Sequence, residues 1–176
     1  TVKFTEASAL SDYSDVTGFN PVTGANDNGT DMEKAAKYRR KSGVRDGANL
    51  RHTVAAYLDI TAKNLTQVEQ AAYLFGFVGI GVEFPGSAMD QFNAGKPWDV
   101  VKGASIEGGH YVPLVGRRKN GNFVVVTWGK LQEVTPEFLT TYMDEGIAYL
   151  SNEILTNGFS LGGLNIAQLQ TDLKAL

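Results

Sequence analysis

The 176 residues fit one domain or two closely packed lobes, and 43% of them are apolar, enough for a real core. A net charge of −3, with no basic surplus, argues against a dedicated nucleic-acid binder. The chain has no cysteine, which excludes disulfides, thiolate metal sites and cysteine nucleophiles within these residues, and no apolar run reaches about 18 residues, so no membrane-spanning helix is expected.

The start, Thr1-Val2-Lys3-Phe4-Thr5, has no signal-peptide pattern and no initiator Met, so a processed or truncated chain is expected. Residues 4–16 read as a helix, with Thr5 to cap it, apolar residues at 9, 10, 13 and 16, and Gly18 to close it. Residues 18–29, "GFNPVTGANDNG", form a turn-rich loop. A second helix is predicted from Thr30, where Thr30 and Glu33 match a capping box, to Gly43. The cationic run at Lys37, Arg39, Arg40 and Lys41 then falls at a helix C-terminus, which favours positive charge.

A strand is expected over 53–60. Asn64 opens a third helix, with Gln67 in a box-like position and an apolar stripe through Leu65, Val68, Ala71, Ala72 and Phe75 to Gly76. "FVGIGVEF" (77–84) reads as a buried strand, and 85–108 as mostly loop holding Trp98. "HYVPLVGRR" and "NFVVVTW" flank Lys119-Asn120-Gly121, and Asn-Gly is the strongest short hairpin signal. Thr135-Pro136 starts another helix, running to about 142 or 145. "AYLSNEIL" (148–155) reads as strand or helix, and the tail 161–176 as a short amphipathic helix. Helices precede a sheet-rich half, which implies an α+β fold.

Several chemistries lack their motifs. There is no G-x-S-x-G elbow, no phosphate-binding G-x-x-x-x-G-K-[ST] loop and no H-E-x-x-H. His52 and His110 stand 58 positions apart, a poor zinc pair. Read as a calcium loop, "GANDNGTDME" puts Gly24 first and Ala35 twelfth, where carboxylates are needed. No metal and no cofactor are expected. Asn28-Gly29-Thr30 and Asn64-Leu65-Thr66 match glycosylation sequons but serve equally as helix caps, the reading adopted here.

The candidate site centres on His110. A general base needs a pKa near working pH and a fixed ring, and a histidine at a strand start behind Gly108 and Gly109 meets both needs. The glycines let a substrate or another backbone come close. Glu107, three residues earlier, is in reach for a hydrogen bond, although a solvated loop glutamate is the plainer reading.

"GGHYVPLVG" (108–116), a hairpin, and "VVTWG" (125–129) resemble the sheet lobe of papain-like cysteine peptidases. With "YSDVTGFNPVTGANDNGT" (13–30), "AAYLFG" (71–76) and "WDV" (98–100), the chain looks most like a bacterial and phage subgroup of that family, over nearly its whole length. The resemblance implies a single papain-like domain over 1–176: a helical-lobe remainder at 1–50, then a mainly sheet or half-barrel lobe at 51–176. The helix bearing the nucleophilic cysteine would be missing upstream. It implies His110 as the base and a peptide or protein as substrate. Its partner would be an N-terminal segment or companion chain that supplies the thiol. No nucleic-acid or membrane partner is implied, and a soluble, cytoplasmic or phage-associated location is expected.

The family's orienting Asn, counted back from Trp-Gly, falls on Val126, which cannot hydrogen-bond. Thr127, next to it, completes the candidate catalytic pair with His110, although strand alternation sends it to the sheet face opposite the orienting position. Gly108, Gly109, Asn28 and Trp128 are the candidate substrate-binding residues, with Trp128 either shielding the histidine or serving as core. Either the chain is a peptidase piece inactive alone, or it is a non-catalytic papain-like module, a pseudoenzyme; an unrelated α+β binding domain is the third reading.

Overall fold

The computed structural model describes residues 2–151 together with Phe159, Gly163, Asn165, Ala167 and Gln168. They form two compact units, one from 2–57 with 150–151, the other from 58–149 with the described residues beyond. Ala167 and Gln168 are helical, but most of the predicted tail helix lies outside the described residues.

In the first unit, α1 (Glu6–Thr17) starts on Thr5, whose hydroxyl accepts from Ser8 N while the Ser8 hydroxyl accepts from Thr5 N. Gly18 closes it in the left-handed conformation. α2 (Met32–Lys41) corrects the predicted start. Its cap is Asp31, whose carboxylate accepts from Lys34 N at 2.9 Å, and not Thr30. A carboxylate suits the positive end of a helix better than a hydroxyl. The cationic residues 39–41 do occupy its last turn.

A short ribbon of β1 (Val44–Arg45) and β2 (Arg51–His52), not foreseen in the sequence, folds about Asp46, whose carboxylate accepts from Ala48 N and Leu50 N. The centre of this unit is polar. Buried Asp12 accepts from Arg45 N at 2.6 Å and from Arg45 Nη1 at 2.8 Å. Tyr38 Oη lies 2.9 Å from a carboxylate oxygen of both Asp12 and Asp15, so its one proton serves one of them at a time. Hydrogen bonds from Arg45 and then Tyr38 hold the Asp15 carboxyl below its ordinary range. Asp12→Asn keeps the shape but removes the charge these donors were placed for. It is expected to cost about 1.5–3 kcal/mol, read as a lower urea midpoint with an unchanged slope.

In the second unit, α3 (Leu65–Phe75) is capped by Asn64 and buries Val68, Ala71 and Phe75. Gln67 does not close a box: its side-chain oxygen accepts from Thr61 N at 2.8 Å. β4 (Val78–Pro85) lies inside the sheet. It pairs antiparallel with β5 (Ile106–Arg117) on one side and β8 (Met143–Ser151) on the other. β6 (Phe123–Thr127) and β7 (Lys130–Val134) continue it, so the strand order within this unit is β8-β4-β5-β6-β7, while β3 (Val54–Asp59) lies mostly in the first unit. β8 settles residues 148–151 of "AYLSNEIL" as strand; the rest of that stretch lies outside the described residues.

The Asn-Gly hairpin joins β5 to β6, with Arg118 N bonded to Asn122 O at 2.7 Å and Gly121 at φ 95°. Two elements contradict the sequence reading. α4 (Gly86–Asn93) stands where loop was predicted, and β7 was not predicted at all. α5 (Pro136–Tyr142) starts as expected on Thr135, which accepts from Phe138 N. The core of this unit holds Ile80, Trp98, Leu114, Phe123, Phe138 and Leu139, all fully buried. Among the described residues no helix is long and apolar enough to cross a membrane.

Candidate functional site

His110 owes its place to two registers. On β5 it lies opposite Val82 of β4, and alternation sets it on the same sheet face as buried Val112 and Leu114. Residues 106–109 before it are exposed, so the ring sits at the rim of the core, half in solvent. On β6, Val125 pairs with Leu114 and shares its face, and Thr127 follows two residues on. The outcome is a hydrogen bond of 2.9 Å between His110 Nε2 and Thr127 Oγ1.

This corrects the expected direction of Thr127. Alternation itself holds, since Val126 is exposed and Thr127 is 5% exposed. What sequence could not supply was which of the two faces carries the histidine. Counting back from Trp-Gly placed the orienting position at 126, but the Leu114–Val125 pairing puts 127 on His110's side.

Aromatic rings fix the imidazole further. Trp128 stacks on it, with ring centroids 4.8 Å apart and planes 17° from parallel. Phe84 meets it edge-on at 5.2 Å, and Trp98 lies 6.1 Å away. Trp128 is 46% exposed, so it is a cover over the histidine and not core. It adopts φ 44° and Gly129 φ 73°, in a two-residue turn between paired Thr127 and Lys130. Two successive left-handed residues make the twist that suits such a hairpin. A tryptophan there is uncommon, and its packing against His110, Phe84 and Phe92 holds it.

Trp98 is the residue sequence reasoning undervalued. It sits in the stretch expected as loop yet is 0% exposed. Its N–H donates to Glu133 O and its carbonyl accepts from Thr135 N, which bolts the segment to β7. Gln91 of α4 brackets the neighbouring Asp99, whose carboxylate accepts from the Thr135 hydroxyl. The quoted "WDV" was the available signal.

The other candidates divide. A Cβ on Gly108 or Gly109 would meet no atom of the described residues within 4 Å, so none of them crowds the space beside either glycine. Glu107 makes no bond to His110. Its carboxyl lies over Gly86 at the start of α4, in the space a Cβ there would take, and would have to swing aside for one. Asn28 is exposed in the first unit, in a loop pinned to α1 by Tyr13, whose hydroxyl donates to Asp27 and accepts from Gly29 N.

Burial pushes the His110 imidazole below the ordinary histidine value. Among the described residues Nε2 has Thr127 and Nδ1 has no hydrogen-bond partner. The arrangement is thus an imidazole locked at one nitrogen and unbonded at the other. The sequence has no cysteine to place beside it. Among the described residues no group of three or more His, Asp or Glu is placed to hold a metal ion.

No protein-family model and no curated protein matches the sequence. Solved structures do match the fold. Xylellain, a cysteine protease from Xylella fastidiosa, superposes at a TM-score of 0.59 with 14% identity, over 77% of this chain and 68% of that one. The Amb a 11 cysteine protease, a major ragweed pollen allergen in its proform, gives 0.56 and 15% over 88% of this chain. This chain spans 48% of that proform. The Carica candamarcensis cysteine protease CMS1MS2, in complex with E-64, gives 0.53 and 13%, over 73% and 71%. The fold is therefore the papain-like cysteine-protease fold, an α+β architecture with an antiparallel sheet.

Proposed function

We propose, from that fold, that this chain carries the base half of a cysteine-peptidase site and that residues outside this sequence carry the thiol. The observation that bears the proposal is the 2.9 Å bond from Thr127 to His110 Nε2, with Nδ1 left unbonded among the described residues. A Cys–His peptidase needs an imidazole held at one nitrogen so that the other can take the thiol's proton. Here His110 is the base, Thr127 its positioning residue and Trp128 its cover. The open side of Gly108 and Gly109 takes the peptide or protein substrate.

The thiol comes from an N-terminal segment or a companion chain, so these 176 residues alone do not hydrolyse peptides. The string "VTGFNPVTGANDNGT" supports an origin in the bacterial and phage subgroup. A second reading, a non-catalytic papain-like binding module, draws on the missing cysteine and on a hydroxyl standing in for the family's amide.

The natural gene product decides between them. Intact-mass analysis after treatment with a thiol-directed peptidase probe is expected to show one adduct, on a cysteine outside residues 1–176 and closely preceded by Gln or a similar amide. A gene product with no cysteine, or none that reacts, would sink the peptidase reading in favour of the binding module.

A further inference from the structure

Hydrogen-bond accounting at Thr127 limits what His110 is at rest. A threonine hydroxyl carries one proton and must place it. The Thr127 hydroxyl is buried, and among the described residues its one hydrogen-bond partner is His110 Nε2. Leaving a buried donor unmade costs far more than making it gains. If Nε2 carried a proton it would donate to Oγ1, and the Thr127 proton would have no acceptor. If Nε2 carries a lone pair, Thr127 donates to it and both groups are satisfied.

We infer that Thr127 holds resting His110 as the neutral tautomer protonated at Nδ1, so that its unbonded nitrogen is a hydrogen-bond donor and not a base. This rests on the pair having the role assigned under Proposed function, and it changes how that role is performed. An amide oxygen in the same place accepts from Nε2–H, has no proton of its own to place, and leaves Nδ1 its lone pair. With threonine, taking a thiol proton at Nδ1 first requires the ring proton to stand on Nε2. The S–H bond then breaks, its proton bonds to Nδ1, and the charge pair is imidazolium and thiolate. In that state Nε2–H donates to Oγ1, and the Thr127 proton needs an acceptor that the described residues do not offer. Until one arrives, Nδ1–H is suited to donating to a peptide carbonyl or carboxylate. The burial that pushes the imidazole below its ordinary value favours the same neutral ring.

The test is nitrogen-15 spectroscopy of the two imidazoles in this chain at about pH 8, above the ordinary histidine value, with His52→Gln assigning the signals. His110 is expected to show a protonated Nδ1 and an unprotonated Nε2. Thr127→Ser keeps the hydroxyl and is expected to keep that pattern. Thr127→Val removes it and is expected to shift the tautomer ratio toward Nε2–H by about tenfold or more. An Nε2–H tautomer in the wild type, or a serine variant that behaves like valine, would overturn the inference. Should the valine variant fail to fold, the wild-type and serine spectra still decide. The readout needs no thiol, so an active natural protein with an Nε2–H His110 defeats this inference alone. An inactive protein with the Nδ1–H tautomer defeats the peptidase reading alone.

Discussion

In the intact natural protein, His110→Ala is expected to slow peptide hydrolysis by about 10⁴-fold or more while the fold persists. The size follows from the proposed role. Without a base the thiol stays mostly protonated near neutral pH, and the partners in such a unit fail together when one is removed. The fold is expected to survive because the ring is half-buried at the core's rim and the strand around it is held by backbone pairs from Val78↔Leu114 to Phe84↔Gly108. Circular dichroism and the thermal midpoint check that part. A variant that keeps its fold and loses less than tenfold in kcat/KM would show that His110 is not the base.

Trp98→Ala is expected to destabilise the second unit by about 3–5 kcal/mol, through lost burial and the cavity left behind. Trp98 has 0% exposure and contacts Phe84 at 5.3 Å, Phe138 at 5.6 Å and Trp128 at 6.1 Å between ring centroids. Its two backbone bonds to Glu133 and Thr135 survive the substitution, so the loss belongs to the side chain. Thermal unfolding followed by tryptophan fluorescence of Trp128 measures it, and a loss under about 1 kcal/mol would contradict the packing account.

The same variant changes the titration of His110. Burial is the cause of its depressed pKa, and a looser cluster admits water, so the value is expected to rise toward the ordinary one. The sign for stability follows. The unfolded chain binds this proton more readily than the folded one, so wild-type stability falls as pH drops below the ordinary histidine value. That loss is smaller in Trp98→Ala and absent in His110→Ala.

Local chemistry was legible in the sequence; choices made across space were not. α3 and α5 stand on the predicted caps Asn64 and Thr135, and the Asn120-Gly121 turn marks the hairpin that carries His110. α4 was missed because Pro85-Gly86 reads as a break, and the helix starts with no side-chain cap at all. β7 was hidden by its turn: Trp128-Gly129 does the work usually left to Asn-Gly, in a conformation tryptophan seldom takes.

Asp31 displaced Thr30 as a cap because two good candidates stood side by side. The Asp12–Arg45 pair, 33 positions apart, leaves no periodic trace. Thr127 shows the limit most clearly. Sequence placed it next to the family's orienting position, but only the pairing of β5 with β6 decides that 127, and not 126, looks at the histidine.

The most direct measurement is the position of the reactive sulfur in a solved structure of the natural protein. The account predicts a cysteine from outside residues 1–176 within hydrogen-bond reach of His110 Nδ1, while Thr127 keeps its bond to Nε2. A sulfur bonded at Nε2 in place of Thr127, or no thiol within reach of either nitrogen, would contradict it.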